Sequence, residues 1–478
     1  MPSEPLSSIE TAWLRMEHPT TPMNITMAMV FGTPIELERL RSTLQARLLS
    51  FPRFRQRVIQ ARPSSPALHW HDVPDLDLDA HLQRITLPAP GDEAALRNLI
   101  SELISKQIDL SSPLWQFHLV EGYGEGCALI GRVHHCLADG PTLMHVLSTL
   151  VDTGPPAPPL AAGARTSFEL ANRITEMLVQ VGVETFYNPL RLLSLIRLGT
   201  DTMAALRRLM FRSPDPDTVF RGPLGTAKRV AWSEPLALAD VKAIGATVDG
   251  TVNDVMLAAV TGALRGYMQR RGAPVGGINI RAGLSVNLRP PEAEPHFGNQ
   301  AGAVLVPLPV GIADPMQRLS TVKQHMDALK NSPESSVILG LLNALGAASP
   351  PVLDTLVKTY CARDTAVISN VPGPTATVRL EGAPLETLLF WVPALGRVGL
   401  SLNIVSYAGY VRLAVATDRG LVPDPEQILA GFDTEFGLLL HLAHQARPEH
   451  SVERMSRRLD AAIKSLDEVS ENRRVSEG

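Results

Sequence analysis

Cysteine is scarce in this 478-residue chain, which holds three: Cys127, Cys136 and Cys361. Such a set is a poor disulfide framework and fits a reducing compartment. Long apolar runs are missing too, since no stretch of about 18 residues reads as a membrane span. The opening residues, MPSEPLSSIE, lack a basic region followed by an apolar run, so no secretory signal is expected. Neither sign of charge dominates: 44 basic residues face 48 acidic ones, for a formal charge of −4. That balance gives no bulk attraction to nucleic acid. Also lacking are a glycine-rich dinucleotide fingerprint, a phosphate loop, zinc-finger spacing and a helix-turn-helix signature. An amphipathic helix lying on a membrane surface survives these exclusions.

What is present is globular, with 45% apolar and 19% charged residues. At roughly 100–200 residues per domain the length suits two to four domains. Apolar residues three and four apart predict helices over 35–50 and 92–108, then over 142–151. Strands are expected over 23–31, 114–122 and 127–133. Composition shifts at the Pro-, Gly- and Ala-rich stretch 152–167 and again at 211–225. Beyond it, strands are expected at 227–235, 279–289, 303–310, 365–374, 387–393 and within 399–418. Helices fit 236–245, 251–272, 314–330, 334–359 and 424–446. The expected division is 1–155, a linker over 156–225, a second unit over 226–450, and a polar tail over 451–478. Strands and helices in both halves predict an α/β (α+β) protein with two sheets.

The chemical signal is densest in GRVHHCLADG, residues 131–140. Side chains alternate faces along a strand, so His134 and His135 should point opposite ways. One would enter a pocket while the other packs. Asp139, Gly140 and Pro141 suit the turn into a helix, where an aspartate can accept backbone or arginine hydrogen bonds. Histidine is the usual base for removing a hydroxyl proton near neutral pH. Two ordinary structural histidines would read the same way. A metal site through His134, His135 and Asp139 is disfavoured by the alternation and lacks a fourth ligand.

Two further stretches are ambiguous alone. SNVPGP, residues 369–374, is a rigid turn with exposed amides. In NDVMLAAV, residues 253–260, Thr251 or Asn253 can cap a helix and Asp254 favours its dipole. Asn253 can instead offer its amide to a developing oxyanion.

Taken together, these motifs resemble the bacterial wax ester synthase/diacylglycerol acyltransferase family. That family lies within the CoA-dependent acyltransferases that include chloramphenicol acetyltransferase and peptide-synthetase condensation domains. The His-His-x-x-x-Asp-Gly motif runs from His134 to Gly140. The narrower match comes from Pro113-Leu114-Trp115, from NDVMLA at 253–258 and from VNLR at 286–289 with Gly298-Asn299. It continues through SNVPGP, from Ser369 and Asn370 through Pro372 and Gly373, to SYAG at 406–409 with Asp418. PMNITMAMVF, FPRFRQR at 51–57, Trp70 and LDAHL at 78–82 keep the family order. The resemblance covers about residues 10–445. It departs at Ser285, where proline is frequent, and at Cys136, where alanine is usual. A small buried cysteine can fill an alanine-like space.

The resemblance implies two chloramphenicol-acetyltransferase-like domains of mixed sheets flanked by helices, with a tunnel at their interface. It implies a long-chain acyl-CoA as co-substrate, no permanently bound cofactor or metal, and diacylglycerol or a fatty alcohol as acceptor. His135 is then the general base and Asn253 the oxyanion donor. His134 and Asp139 are supports, with Arg289 a partner for Asp139. Pro113, Leu114, Trp115, Gly140, Asp254, Asn299 and SNVPGP are channel or structural positions. The segment 190–212, rich in arginine and leucine, either lies on an anionic membrane or lipid-droplet surface or packs on its own protein. The expected location is cytoplasmic with peripheral attachment at the inner membrane or lipid inclusions. The rivals are a condensation enzyme using a carrier-bound donor or another acceptor, a silent lipid-binding protein, and, distantly, a metal hydrolase.

Overall fold

The computed structural model describes residues 4–60, 67–152, 169–176, 200–287, 301–330, 332–347, 363–394, 396 and 398–445. Two large mixed sheets carry the architecture. The first has the order β13-β14-β2-β7-β6-β5. Its strands are β2 (Asn24–Phe31), β5 (Leu82–Thr86), β6 (Trp115–Tyr123), β7 (Gly126–His134), β13 (Arg379–Leu380) and β14 (Ala383–Trp391). The second has the order β11-β10-β12-β15-β16-β8, with β9 paired to β16. Its strands are β8 (Lys228–Trp232), β9 (Leu236–Ala237), β10 (Ile280–Asn287), β11 (Ala301–Leu308), β12 (Ala366–Pro372), β15 (Leu400–Tyr407) and β16 (Tyr410–Asp418). A small sheet joins β1 (Glu4–Pro5), β4 (Leu68–Asp72) and β3 (Gln56–Gln60).

The chain route ties the sheets together. After β12 the chain leaves the second sheet and places β13 and β14 in the first. It then returns as β15, parallel to β12. β14 pairs antiparallel with β2, Phe390 opposite Met27 and Trp391 opposite Thr26. Trp391 donates its Nε1 proton to Val415 O of β16 at 3.1 Å. Its ring meets Trp232 of β8 edge-on, with centroids 6.0 Å apart. Helix α2 (Glu93–Ile104) covers the open edge of β8. There Ser101 Oγ accepts from Val230 N at 3.0 Å, and Ser105 Oγ from Lys228 N at 2.8 Å. An edge strand is thereby satisfied by side chains of the other half.

Alternation sorts β7 into two faces. Leu129 and Val133 belong to the core of the first half, while Ala128 and Ile130 join Trp232, Trp391 and Ala414 where the sheets meet. The second core packs α4 (Val252–Arg270) on the second sheet, with Met256, Leu257, Val260 and Leu264 buried.

Local departures from the expected elements have plain causes. The periodic stretch 35–50 is an α-helix over Leu37–Thr43 that widens to a π-helix over Leu44–Leu48. The expected run 399–418 is a hairpin, turned by Ala408 and Gly409 at φ 47° and 84°. Two successive positive φ values are what a tight right-twisting hairpin requires. Of the expected helix 334–359, the described part is α5 (Glu334–Ala347).

Candidate active site

β7 delivers the histidine pair to its C-terminal end, His134 being its last residue. His134 is fully buried. Its N–H donates to Leu114 O at 2.9 Å. Its Nδ1 accepts from Cys136 N at 3.1 Å. An acceptor nitrogen carries no proton, so the ring proton sits on Nε2. That nitrogen lies 3.3 Å from Glu17 Oε2.

His135 begins the turn that follows the strand and is half-buried. Its N–H donates to Met23 O at 2.7 Å, and its ring stacks on Trp13 of α1 (Ser8–Arg15). The centroids are 3.8 Å apart and the planes 7° from parallel. The pair therefore packs in distinct ways: one buried ring is held by the hydrogen bond from Cys136 N, the other lies flat on an aromatic face.

Cys136 is fully buried, and burial pushes its thiol well above the ordinary value, with the Glu10 and Glu17 carboxylates pushing the same way. A thiol held protonated is a poor nucleophile. Asp139 is the N-cap of α3 (Gly140–Leu150), accepting from Thr142 N at 3.1 Å and Thr142 Oγ1 at 2.8 Å. Pro141 follows within the first turn, as its fixed φ allows.

The second half reaches this motif through β12. Val371 Cγ2 lies 3.9 Å from where a Cβ on Gly140 would stand. The preceding residue, Asn370, donates from Nδ2 to Asn253 Oδ1 at 2.6 Å. With its oxygen engaged, Asn253 keeps its own Nδ2, which donates to no described residue. The helix cap is Thr251, not Asn253. Thr251 Oγ1 accepts from Asp254 N, and Asp254 Oδ2 accepts from Thr251 N at 2.7 Å and Oγ1 at 2.8 Å. Asp254 thus closes a reciprocal capping box. The cap leaves Asn253, half-buried at the helix mouth, spare for another task.

The remaining expected positions divide. Pro113, Leu114 and Trp115 are buried. Leu114 O holds the His134 backbone, and Trp115 Nε1 donates to Phe54 O at 2.8 Å. His81 stacks on the Trp115 ring at 4.5 Å. This motif braces the strand that carries the histidines. Ser369 is buried on β12, and Pro372 ends that strand. At Gly373 a Cβ would stand 2.7 Å from Ser406 O, so the close approach of β15 requires glycine. Arg289 and Asn299 lie outside the described residues, as do 190–199. The described helix Thr200–Phe211 buries Ala205 and Leu209 and exposes Arg207 and Arg208. No group of three or more His, Cys, Asp or Glu suited to a metal occurs among the described residues.

Trp13, Glu17 and Met23 were not legible as site residues. Their one sequence signal is position, just ahead of or within the familial PMNITMAMVF stretch.

Comparison with known proteins fits this geometry. The model of the wax ester synthase/diacylglycerol acyltransferase catalytic domain matches residues 6–256, and that of the WS/DGAT C-terminal domain residues 297–440. A Mycobacterium tuberculosis H37Rv protein bearing the name diacylglycerol O-acyltransferase is 26% identical, over 94% of this chain and 92% of the relative. A Mycobacterium bovis relative of the same name is 29% identical over 80% of each. Among solved structures, the wax ester synthase/diacylglycerol acyltransferase from Marinobacter aquaeolei VT8 superposes with TM-score 0.66 at 22% identity. It covers 92% of this chain and 100% of that one. The starter condensation domain of rhizomide synthetase, solved with C8-CoA, gives TM-score 0.56 at 15% identity, over 93% and 95%.

Proposed function

We propose a reaction for a chain that belongs to the wax ester synthase/diacylglycerol acyltransferase family: transfer of a long-chain acyl group from acyl-CoA to the hydroxyl of diacylglycerol or of a long-chain alcohol. The products are triacylglycerol or wax ester, and free CoA. The observation that carries this reading is the catalytic-domain match over 6–256, which takes in both His135 and Asn253.

In this mechanism His135 removes the proton from the acceptor hydroxyl as its oxygen attacks the thioester carbonyl. The oxyanion that forms is met by the Asn253 amide, whose Nδ2 is uncommitted while Oδ1 is held by Asn370. Collapse breaks the C–S bond, and His135 returns the proton to the departing CoA thiolate. No acyl-enzyme is formed, in keeping with the buried, protonated Cys136 thiol. His134 and Asp139 keep the turn in shape.

The two halves, 1–155 and 226–450, serve as acyltransferase-like domains with 156–225 between them. Exposed Arg207 and Arg208 support attachment to an anionic lipid surface. No helix among the described residues is long and apolar enough to cross a membrane. Flotation of the purified protein with anionic liposomes or lipid emulsions tests that attachment, and failure with both would end it. Chemistry is tested by ester formation from palmitoyl-CoA, with a palmitoylated carrier protein as the competing donor. Transfer from the carrier alone would favour a condensation enzyme instead.

A further inference from the structure

We propose that Glu17 is a positioning residue for acyl transfer, its one carboxylate set against the His134 ring and tied through Met23 to the His135 backbone. The proposal rests on His135 being the base. Glu17 Oε2 accepts from Met23 N at 2.5 Å and lies 3.3 Å from His134 Nε2. Because His134 Nδ1 accepts from Cys136 N, its ring proton is on Nε2, which has no hydrogen-bond partner among the described residues and has the Glu17 carboxylate as its close polar neighbour. Met23 in turn accepts from His135 N through its carbonyl at 2.7 Å. One carboxylate therefore stands against the His134 ring and is tied to the His135 backbone through one residue, Met23. Four residues before Glu17, at the other end of the same short segment, Trp13 lies flat against the His135 ring.

Fold stability alone is a weak reason for an acid here. The Glu17 side chain is 4% exposed, and its Oε1 has no partner among the described residues. A buried charge with an unsatisfied oxygen costs free energy that an apolar side chain would avoid. No carboxylate pairs with Arg132 at ion-pair distance among the described residues. Burial lowers its guanidinium to about 10, and the Glu17 charge is what opposes that shift. The site thus carries a buried carboxylate and a buried guanidinium on the strand end that presents the base. Second-row carboxylates that orient a histidine act in this way.

The test uses the full chain with Glu17→Gln and Glu17→Ala, read by steady-state kinetics, melting and nitrogen-15 histidine NMR. Wild type is expected to show a slowly exchanging His134 Nε2 proton, assigned by its loss in His134→Ala. Glu17→Ala should lose that proton and lower kcat about 100-fold, the scale of a misplacement of about 1 Å. KM for palmitoyl-CoA should stay unchanged, and Glu17→Gln should fall between. A missing proton in wild type, or wild-type kcat in Glu17→Ala, would overturn the proposal. So would collapse of cooperative melting in both variants, which would make Glu17 a folding staple. A wild type that shows the proton yet transfers no acyl group would instead sink the functional reading, and the catalytic role of Glu17 with it.

Discussion

A cysteine beside the histidine proposed as the base invites a covalent route, and its surroundings disfavour it. Cys136 is buried among apolar groups with two carboxylates near enough to disfavour the thiolate. Cys136→Ala is therefore expected to keep wild-type turnover within about twofold, as a volume-similar core change should. Iodoacetamide should leave Cys136 unlabelled in the folded enzyme at neutral pH, checked by peptide mass spectrometry; rapid labelling with loss of activity would contradict this. Asn253 behaves oppositely. Removing one preorganised oxyanion donor costs about 10²–10³ in kcat, so Asn253→Ala should fall in that range with KM little changed. A raised KM with kcat unchanged would assign Asn253 to binding. Period-two alternation led to the expectation of opposite faces for His134 and His135, but β7 ends at His134 and His135 already lies in the turn, so the strand rule reaches only the first of them. Glu17 was not legible, because its contact with His134 joins a helix end to a strand end distant in the chain.

At the scale of elements, α4 shows how a local rule can mask a residue proposed to act in catalysis. Thr251 and Asn253 are both good caps by residue type. The capping box with Asp254 decides for Thr251, and so spares Asn253. Thr251→Ala should lower stability by about 1 kcal/mol, the usual value of a lost cap, measured by denaturant titration. Catalysis should suffer only as far as the helix mouth frays. Full activity with unchanged stability would mean that the box does not hold Asn253 in place. Most elements were legible from periodicity and turn residues: β6, β7, α2 and α3 begin and end close to expectation. The π-helix at Leu44–Leu48 was not, since apolar spacing alone does not distinguish a widened turn from a regular one.

At the scale of the molecule, the exchange of β13 and β14 makes the two halves interdependent. Without β14, the β2 edge of the first sheet would be open, and Phe390 and Trp391 would lose their packing. Residues 1–225 expressed alone should therefore aggregate, while co-expression with 226–478 should restore a soluble complex. A well-folded isolated 1–225 would contradict this. Strand order of this kind is a non-local choice, which is why periodicity located the strand near 387–393 but not its place beside β2. The interlock also carries Val371 against Gly140 and so brings Asn253 toward the histidine motif. The central claim is that this assembled site transfers acyl groups through His135. Its most direct test incubates the purified chain with radiolabelled palmitoyl-CoA and, separately, dioleoylglycerol or hexadecanol, with lipids resolved by thin-layer chromatography. Labelled triacylglycerol or wax ester from wild type, reduced by about 10²–10⁴ in His135→Ala as loss of a general base predicts, is the expected result. Ester formation at the wild-type rate in a folded His135→Ala, or none from a wild type that still binds palmitoyl-CoA, would contradict the account.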